Sequence, residues 1–339
     1  LSVLFFAADR KPKSFRTAKG GSRLYFFQEV PLMKRLLITS LLLVLSFAGL
    51  ATARAALSGD DRSVADLSPD RVVVTEAEFL GWTFLPTGTM FEDTEVGGLS
   101  AVAYDAGTGR YYLLSDDRSA VDPARFYTAY IDIADMTLVS GDVMITGVTT
   151  LSDGDGQPFA EGAIDPEGMA LTEGGTLYIA SEGAADDGIP PFVREFALDG
   201  KQIRAFTIPD KFIPNEDGTY GVRNNLAFES LTLTPAGDRL FTATENALAQ
   251  DGPVANVDQV SLSRVLAFDT QTGQPGQEVV YVTEPVATKP KPPGGARDNG
   301  LVEMLALDNN GSFLTLERSY SEGKGVTVKL FYVRAQGAL

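Results

Sequence analysis

From Gly97 onward, apolar and polar residues alternate in short runs, and the runs come in pairs joined by a glycine-bearing turn. Four copies stand out: GGLSAVAYDAGTGRYYLLSDDR (97–118), DPEGMALTEGGTLYIASEG (165–183), AFESLTLTPAGDRLFTATEN (227–246) and LVEMLALDNNGSFLTLERS (301–319). Alternation at a period of two around such a turn predicts a β-hairpin, because one face of each strand seeks a core and glycine accepts the turn's backbone angles. Further strand-like runs follow at 125–133, 192–208, 263–282 and 326–333. The opening positions Gly98, Glu167, Glu229 and Glu303 lie 69, 62 and 74 residues apart. Units of about four strands at such a period predict an all-β chain, a β-propeller of four-stranded blades. The spacing leaves room for long loops at 134–165, 184–191, 210–226, 247–262 and 284–300, and no helical periodicity appears among them.

The fourth unit reaches Val333, and 334–339 reads as an arbitrary stop. The propeller is therefore expected to be incomplete at the C-terminus, with an exposed edge unless the strand-like runs of 71–85 help to close it.

The front of the chain carries a different pattern. Met33-Lys34-Arg35 is a short basic start, 36–50 is an uncharged apolar run, and Ala53-Arg54-Ala55 offers a small-x-small cleavage step. That order predicts a signal peptide over 33–55 and export to the periplasm or outside the cell. At 15 residues the run is short for a membrane span, so no stable anchor is expected after cleavage. Residues 1–32, basic and aromatic, precede this start and read as a mis-assigned extension. The functional domain is then 56–339, a monomer.

Charge sharpens the picture. Nine of the 28 basic residues and two of the 45 acidic ones lie in residues 1–55, so the remainder carries a formal charge near −24. A field of that sign disfavours nucleic acid and attracts cations. The chain contains no cysteine and no histidine, which excludes thiol nucleophiles, histidine-based triads and the usual zinc ligands. Chemistry must then rest on carboxylates, arginine, hydroxyls or a bound hard cation.

The repeats place acids at two recurring points. Glu167, Glu229 and Glu303 open the first strand of three copies, while Asp116, Asp117, Glu182, Glu245 and Glu317 close the second. In a hairpin these two points are neighbours, so carboxylate pairs are expected to converge on the central channel, with Arg118 and Arg318 directly after two of them. Facing carboxylates repel unless a cation, a proton or an arginine neutralises them, and Ca²⁺ suits an all-oxygen ligand set. Asp116, Asp117, Glu167, Glu182, Glu229, Glu303 and Glu317 are the metal candidates. Glu229, Glu245, Glu167, Arg118 and Arg318 are the catalytic ones, with Arg223 a further possible anion clamp. The same acids serve equally well as hairpin caps or as a calcium staple. The Asp153-Gly154-Asp155-Gly156 run lacks a glutamate at the twelfth position of a calcium loop, and a plain glycine-rich loop fits it better.

Asp165-Pro166-Glu167-Gly168, Ser181-Glu182-Gly183 and above all the run 223–231 (RNNLAFESL), extended by Pro235-Ala236-Gly237-Asp238 and Thr244-Glu245-Asn246-Ala247-Leu248, resemble the phytase-like family of exported bacterial proteins, labelled "esterase-like activity of phytase". The resemblance covers 97–333 and implies a propeller that hydrolyses esters or phosphoesters, akin to calcium-dependent propeller phytases. It also implies a further repeat beyond Val333. The chain departs from the family pattern at Ser230 and Met304, where glycine is usual. The expected function is calcium-assisted hydrolysis of a small anionic or ester substrate; the alternative is a non-catalytic exported propeller that binds a ligand or partner through its loops.

Overall fold

The computed structural model describes residues 77–335, Val72 and Val74, and the backbone of four short strands, Ser2–Phe6, Ser14–Thr17, Arg23–Phe27 and Leu42–Ser46. Apart from those strands, the expected extension over 1–32 and signal over 33–55 lie outside the described residues.

Four antiparallel sheets form a four-bladed β-propeller. Blade 1 runs outward through Leu99–Asp105, Arg110–Ser115, Arg125–Ile131 and Val143–Thr150. Blade 2 comprises Pro166–Leu171, Thr176–Ser181, Phe192–Ala197 and Gln202–Ala205. Blade 3 comprises Phe228–Leu233, Arg239–Thr244, Leu262–Asp269 and Pro275–Val282. Blade 4 has Arg297–Ala306, Ser312–Ser321 and Gly325–Arg334, with Arg23–Phe27 paired outside the last of these.

The inner hairpins form where the pattern predicts them. Each turns on a glycine with left-handed φ at the equivalent position: Gly109 (69°), Gly175 (77°), Gly237 (72°) and Gly311 (83°). A side chain there would meet steric resistance from its own Cβ. Two expectations change. Val143–Thr150, within a stretch read as loop, is the outermost strand of blade 1; its residues alternate between half-buried and exposed, so no clean apolar face marks it. Likewise Arg297–Ala306 begins inside the expected 284–300 loop.

The core lies between blades. Phe126, Leu114 and Tyr112 of blade 1 meet Met169, Ile179 and Phe196 of blade 2. Phe241 and Val265 of blade 3 meet Met304 and Phe313 of blade 4, with the two phenyl rings edge-on at 5.1 Å. Each such buried ring contributes roughly 1.5–3 kcal/mol by leaving water. Every blade therefore packs on both faces, and the second strand of each of blades 1 to 3 is buried along nearly its whole length.

Val72, Val74 and residues 77–83 sit between the fourth and first blades. Phe79 and Trp82 pack against the cluster of Leu314, Leu316, Val328 and Leu330, while Leu80 joins Tyr111, Leu113 and Tyr127 of blade 1. The strand Glu78–Thr83 thus takes the position at the seam that the sequence assigned to 71–85.

Candidate active site

Every innermost strand carries a β-bulge at the same step. Pairing skips Ser100 in blade 1, Glu167 in blade 2, Glu229 in blade 3 and Val302 in blade 4. A bulge inserts one residue against none on the partner strand and re-aims its side chain, so it frees Glu167 and Glu229 from the regular in-out alternation.

The return strand ends in a second recurring contact. Asp116 N donates to Gly98 O (2.6 Å), Glu182 N to Asp165 O (3.0 Å) and Glu245 N to Ala227 O (2.8 Å). In blade 4 the residue opposite Gly300, which corresponds to Gly98, Asp165 and Ala227, is Arg318. Structural equivalence therefore runs Asp116, Glu182, Glu245, Arg318. Glu317 and Glu303, matched to the other acids by residue type, each stand one step off these positions.

These elements enclose a cavity of about 220 Å³ lined by Asp116, Arg118, Ala120, Asp165, Glu167, Asn225, Glu229 and Arg318. On one side, Asp165, Glu167 and Glu182 each place a carboxylate oxygen within 4.8 Å of the other two. Glu182 Oε1 accepts a hydrogen bond from Ala227 N at 2.5 Å, while Oε2 is buried with no hydrogen-bond partner. Arg118 Nη2 lies 2.5 Å from Asp165 Oδ2, an ion pair without the alignment of a hydrogen bond, and donates to Asn225 Oδ1 at 2.8 Å. Asn225 holds a left-handed backbone (φ 55°) to present that oxygen.

On the other side, Glu229 and Glu245 lie within hydrogen-bonding reach of each other. Arg318 Nη2 is 3.8 Å from Glu229 Oε1 and 3.6 Å from Glu245 Oε1. Glu245 fits because Gly300 faces it: a Cβ there would lie 2.2 Å from Glu245 Cγ.

Burial first, and mutual repulsion second, pushes these carboxyls upward. Burial raises Glu167, Glu182 and Glu245 well above the ordinary range, and Glu229 is the next contributor to each. Asp165 is pushed up to about 6 by burial, with Arg118 pulling it back. Glu303 reaches about 8 through burial, partly offset by the Met304 N–H. Burial also raises Glu229, against the pull of Arg318. Six acids around two arginines make a site short of positive charge.

A calcium ion bonds oxygen at about 2.3–2.6 Å, so oxygens sharing one ion lie up to roughly 5 Å apart. The Asp165–Glu167–Glu182 set meets that spacing, and the unserved Glu182 oxygen gives it an open ligand.

The remaining expected residues have other surroundings. Asp117 accepts from Arg125 Nη1 (2.9 Å) and from the backbone of Ala120, Val121 and Asp122. Burial would raise it, but Arg125 and those N–H groups hold it below the usual range. Glu317 accepts from Tyr281 Oη, Asn299 Nδ2 and Glu284 N. Glu303 Oε1 accepts from its neighbour Met304 N (2.8 Å). Arg223 donates to Ala247 O and Gly252 O, both backbone carbonyls. Asp165, Asn225 and Asp298 were absent from the sequence-derived candidates. Asp165 and Asn225 could have been found, since one opens the quoted Asp-Pro-Glu-Gly motif and the other stands in the quoted run 223–231; nothing in the pattern marks Asp298.

Comparison with known proteins places the chain. An uncharacterized secreted protein of Arthroderma benhamiae is 25% identical over 189 residues, covering 48% of this chain and 35% of that protein. The chain thus spans about a third of that relative's length. Solved structures with similar architecture include the periplasmic gluconolactonase PpgL of Pseudomonas aeruginosa (12% identity, TM-score 0.35, 73% of this chain and 72% of that one). Another is the β-propeller domain of Cps50 (Swd1) from Myceliophteria thermophila (13% identity, TM-score 0.27, 69% and 51%). A family model described as "Phytase-like: Esterase-like activity of phytase" matches 94–339, and the chain belongs to that phytase-like family.

Proposed function

We propose that this protein is an exported hydrolase of phosphate esters or simple esters that works with Ca²⁺. The observation that carries the reading is the cavity itself: buried carboxylates in two sets, with Arg118 and Arg318 on its wall. Asp165, Glu167 and Glu182 would hold the ion, with Asp116 nearby on the same wall. Bound there, calcium supplies positive charge that polarises a phosphoryl or acyl oxygen.

The chain's own residues do the rest. Arg118, about one-third exposed, is placed to meet an anionic group entering from solvent. Glu229, held toward its ionised form by Arg318, takes a proton from the attacking water as the ester bond breaks. Glu245, buried against Glu229, shares that proton and keeps it from the substrate. The leaving oxygen takes its proton from solvent at the cavity mouth. Membership of a phytase-like family and similarity to a secreted protein of Arthroderma benhamiae support hydrolysis and export respectively.

The test is turnover of p-nitrophenyl phosphate and p-nitrophenyl acetate by the purified chain, with calcium and with chelator. Calcium-dependent release that falls at least a hundredfold in Glu229→Gln, with the melt intact, is the expected result. No turnover of either ester by folded, calcium-loaded protein would sink the reading.

A further inference from the structure

The two carboxylate sets differ in one respect that the repeat makes visible. Three blades end their return strand in an acid, Asp116, Glu182 or Glu245, and each backbone N–H there bonds the same carbonyl position. Blade 4 puts Arg318 at that step. Its guanidinium lies between Glu229 and Glu245 at 3.8 and 3.6 Å, close enough for charge but too long for a hydrogen bond to either. No N–H or hydroxyl donor serves the buried Glu245 Oε1. Asp298 adds a third negative group facing the same arginine. That is the environment of a cation site with the cation supplied by the chain.

The Asp165–Glu167–Glu182 set has no such insert. Arg118 reaches Asp165 from the open side, and Glu182 Oε2 remains buried and unserved. We infer that Arg318 is a tethered cation filling the second of two acidic sites, so that the cavity takes a single divalent ion, at Asp165, Glu167 and Glu182. This rests on the calcium part of the function proposed above, and it adds the stoichiometry and the residue that sets it. The tethered charge also fixes the cavity's polarity: an exchangeable ion at one end, a permanent guanidinium at the other. A substrate anion bridging both ends would meet one metal and one arginine.

The experiment is calorimetric titration of the full chain with Ca²⁺, alongside thermal melts, for the wild type and four variants. The wild type and Arg318→Lys bind one ion. Arg318→Gln binds two, the second vacating with chelator, because Glu229, Glu245 and Asp298 are then left without a counter-charge. Glu182→Gln loses the ion, at least a hundredfold in affinity, and Glu245→Gln keeps it. Two ions in the wild type overturn the inference, as does a single ion in folded Arg318→Gln. Should Arg318→Gln not fold, Glu245→Gln decides: loss of the ion there, with Glu182→Gln still binding, puts calcium at the wrong end. No binding by the wild type removes the calcium reading itself, whereas one ion in both the wild type and Arg318→Gln removes the arginine's role alone.

Discussion

Replacing Glu229 with glutamine is expected to make the calcium-free protein more stable while abolishing turnover. Glu229 is a cause of the raised pKa values of Asp165, Glu167, Glu182, Glu245 and Glu303 alike. Its favourable contact is Arg318 at 3.8 Å, worth about 4 kcal/mol of Coulomb energy at an effective dielectric near 20. A hydrogen bond with Glu245 pulls the same way, and burial outweighs both. What remains is burial and the repulsion from the Asp165 set, on the order of 1–3 kcal/mol against the charged form. At roughly 3 °C per kcal/mol for a domain of this size, the melting temperature rises by about 3–9 °C. Differential scanning calorimetry at pH 8 with chelator reads the difference, and the same scan near pH 4 should not show it, because protonated glutamate and glutamine are then near-isosteres. A fall in melting temperature at pH 8 would refute the reasoning, since it would make Glu229 a structural partner of Arg318 and not a surplus charge.

Stability of the chelated protein should also follow pH in a defined direction. Raised carboxyls stabilise the fold fully below their unfolded values of 3.8 for Asp165 and 4.5 for Glu303. That contribution is lost as pH rises through about 6 and about 8 respectively, and melts across pH 4–9 should show the decline flattened by calcium. Gly300→Ala should cost about 1–3 kcal/mol by overpacking against Glu245, whereas Gly97→Ala, with nothing near its Cβ, should shift the melt by less than a degree or two. Asp117→Ala leaves the buried Arg125 guanidinium only the longer contact to Asp122 at 3.6 Å and should cost about 3 kcal/mol, a loss that calcium does not rescue.

The hairpins and the blade repeat were legible because alternation and turn glycines are local signals. The carboxylates of blades 2 and 3 were legible for the same reason: Glu167 with Glu182, and Glu229 with Glu245, keep their spacing. Blade 4 was not. A bulge is a backbone event with no side-chain signature, so Glu303 and Glu317 matched the other copies by residue type while Val302 and Arg318 hold the equivalent places. Val143–Thr150 stayed hidden because an outermost strand has no apolar neighbour on its free side. Asn225 acts through a left-handed turn and a partner, Arg118, more than a hundred residues away, which no local pattern encodes.

The strand at the seam has a consequence for how the molecule comes into being. Val72 N bonds Asp308 Oδ2 across 236 residues, and Tyr332 Oη bonds Val72 O across 260. During synthesis, then, the segment at the seam emerges before the blades and waits for the last of them, with Phe79 and Trp82 uncovered until blade 4 exists. Hairpins can form as they appear, but the ring latches late, in a step dominated by long-range closure. A protease or a holding chaperone acting on the nascent chain would find its target in that waiting segment rather than in the blades.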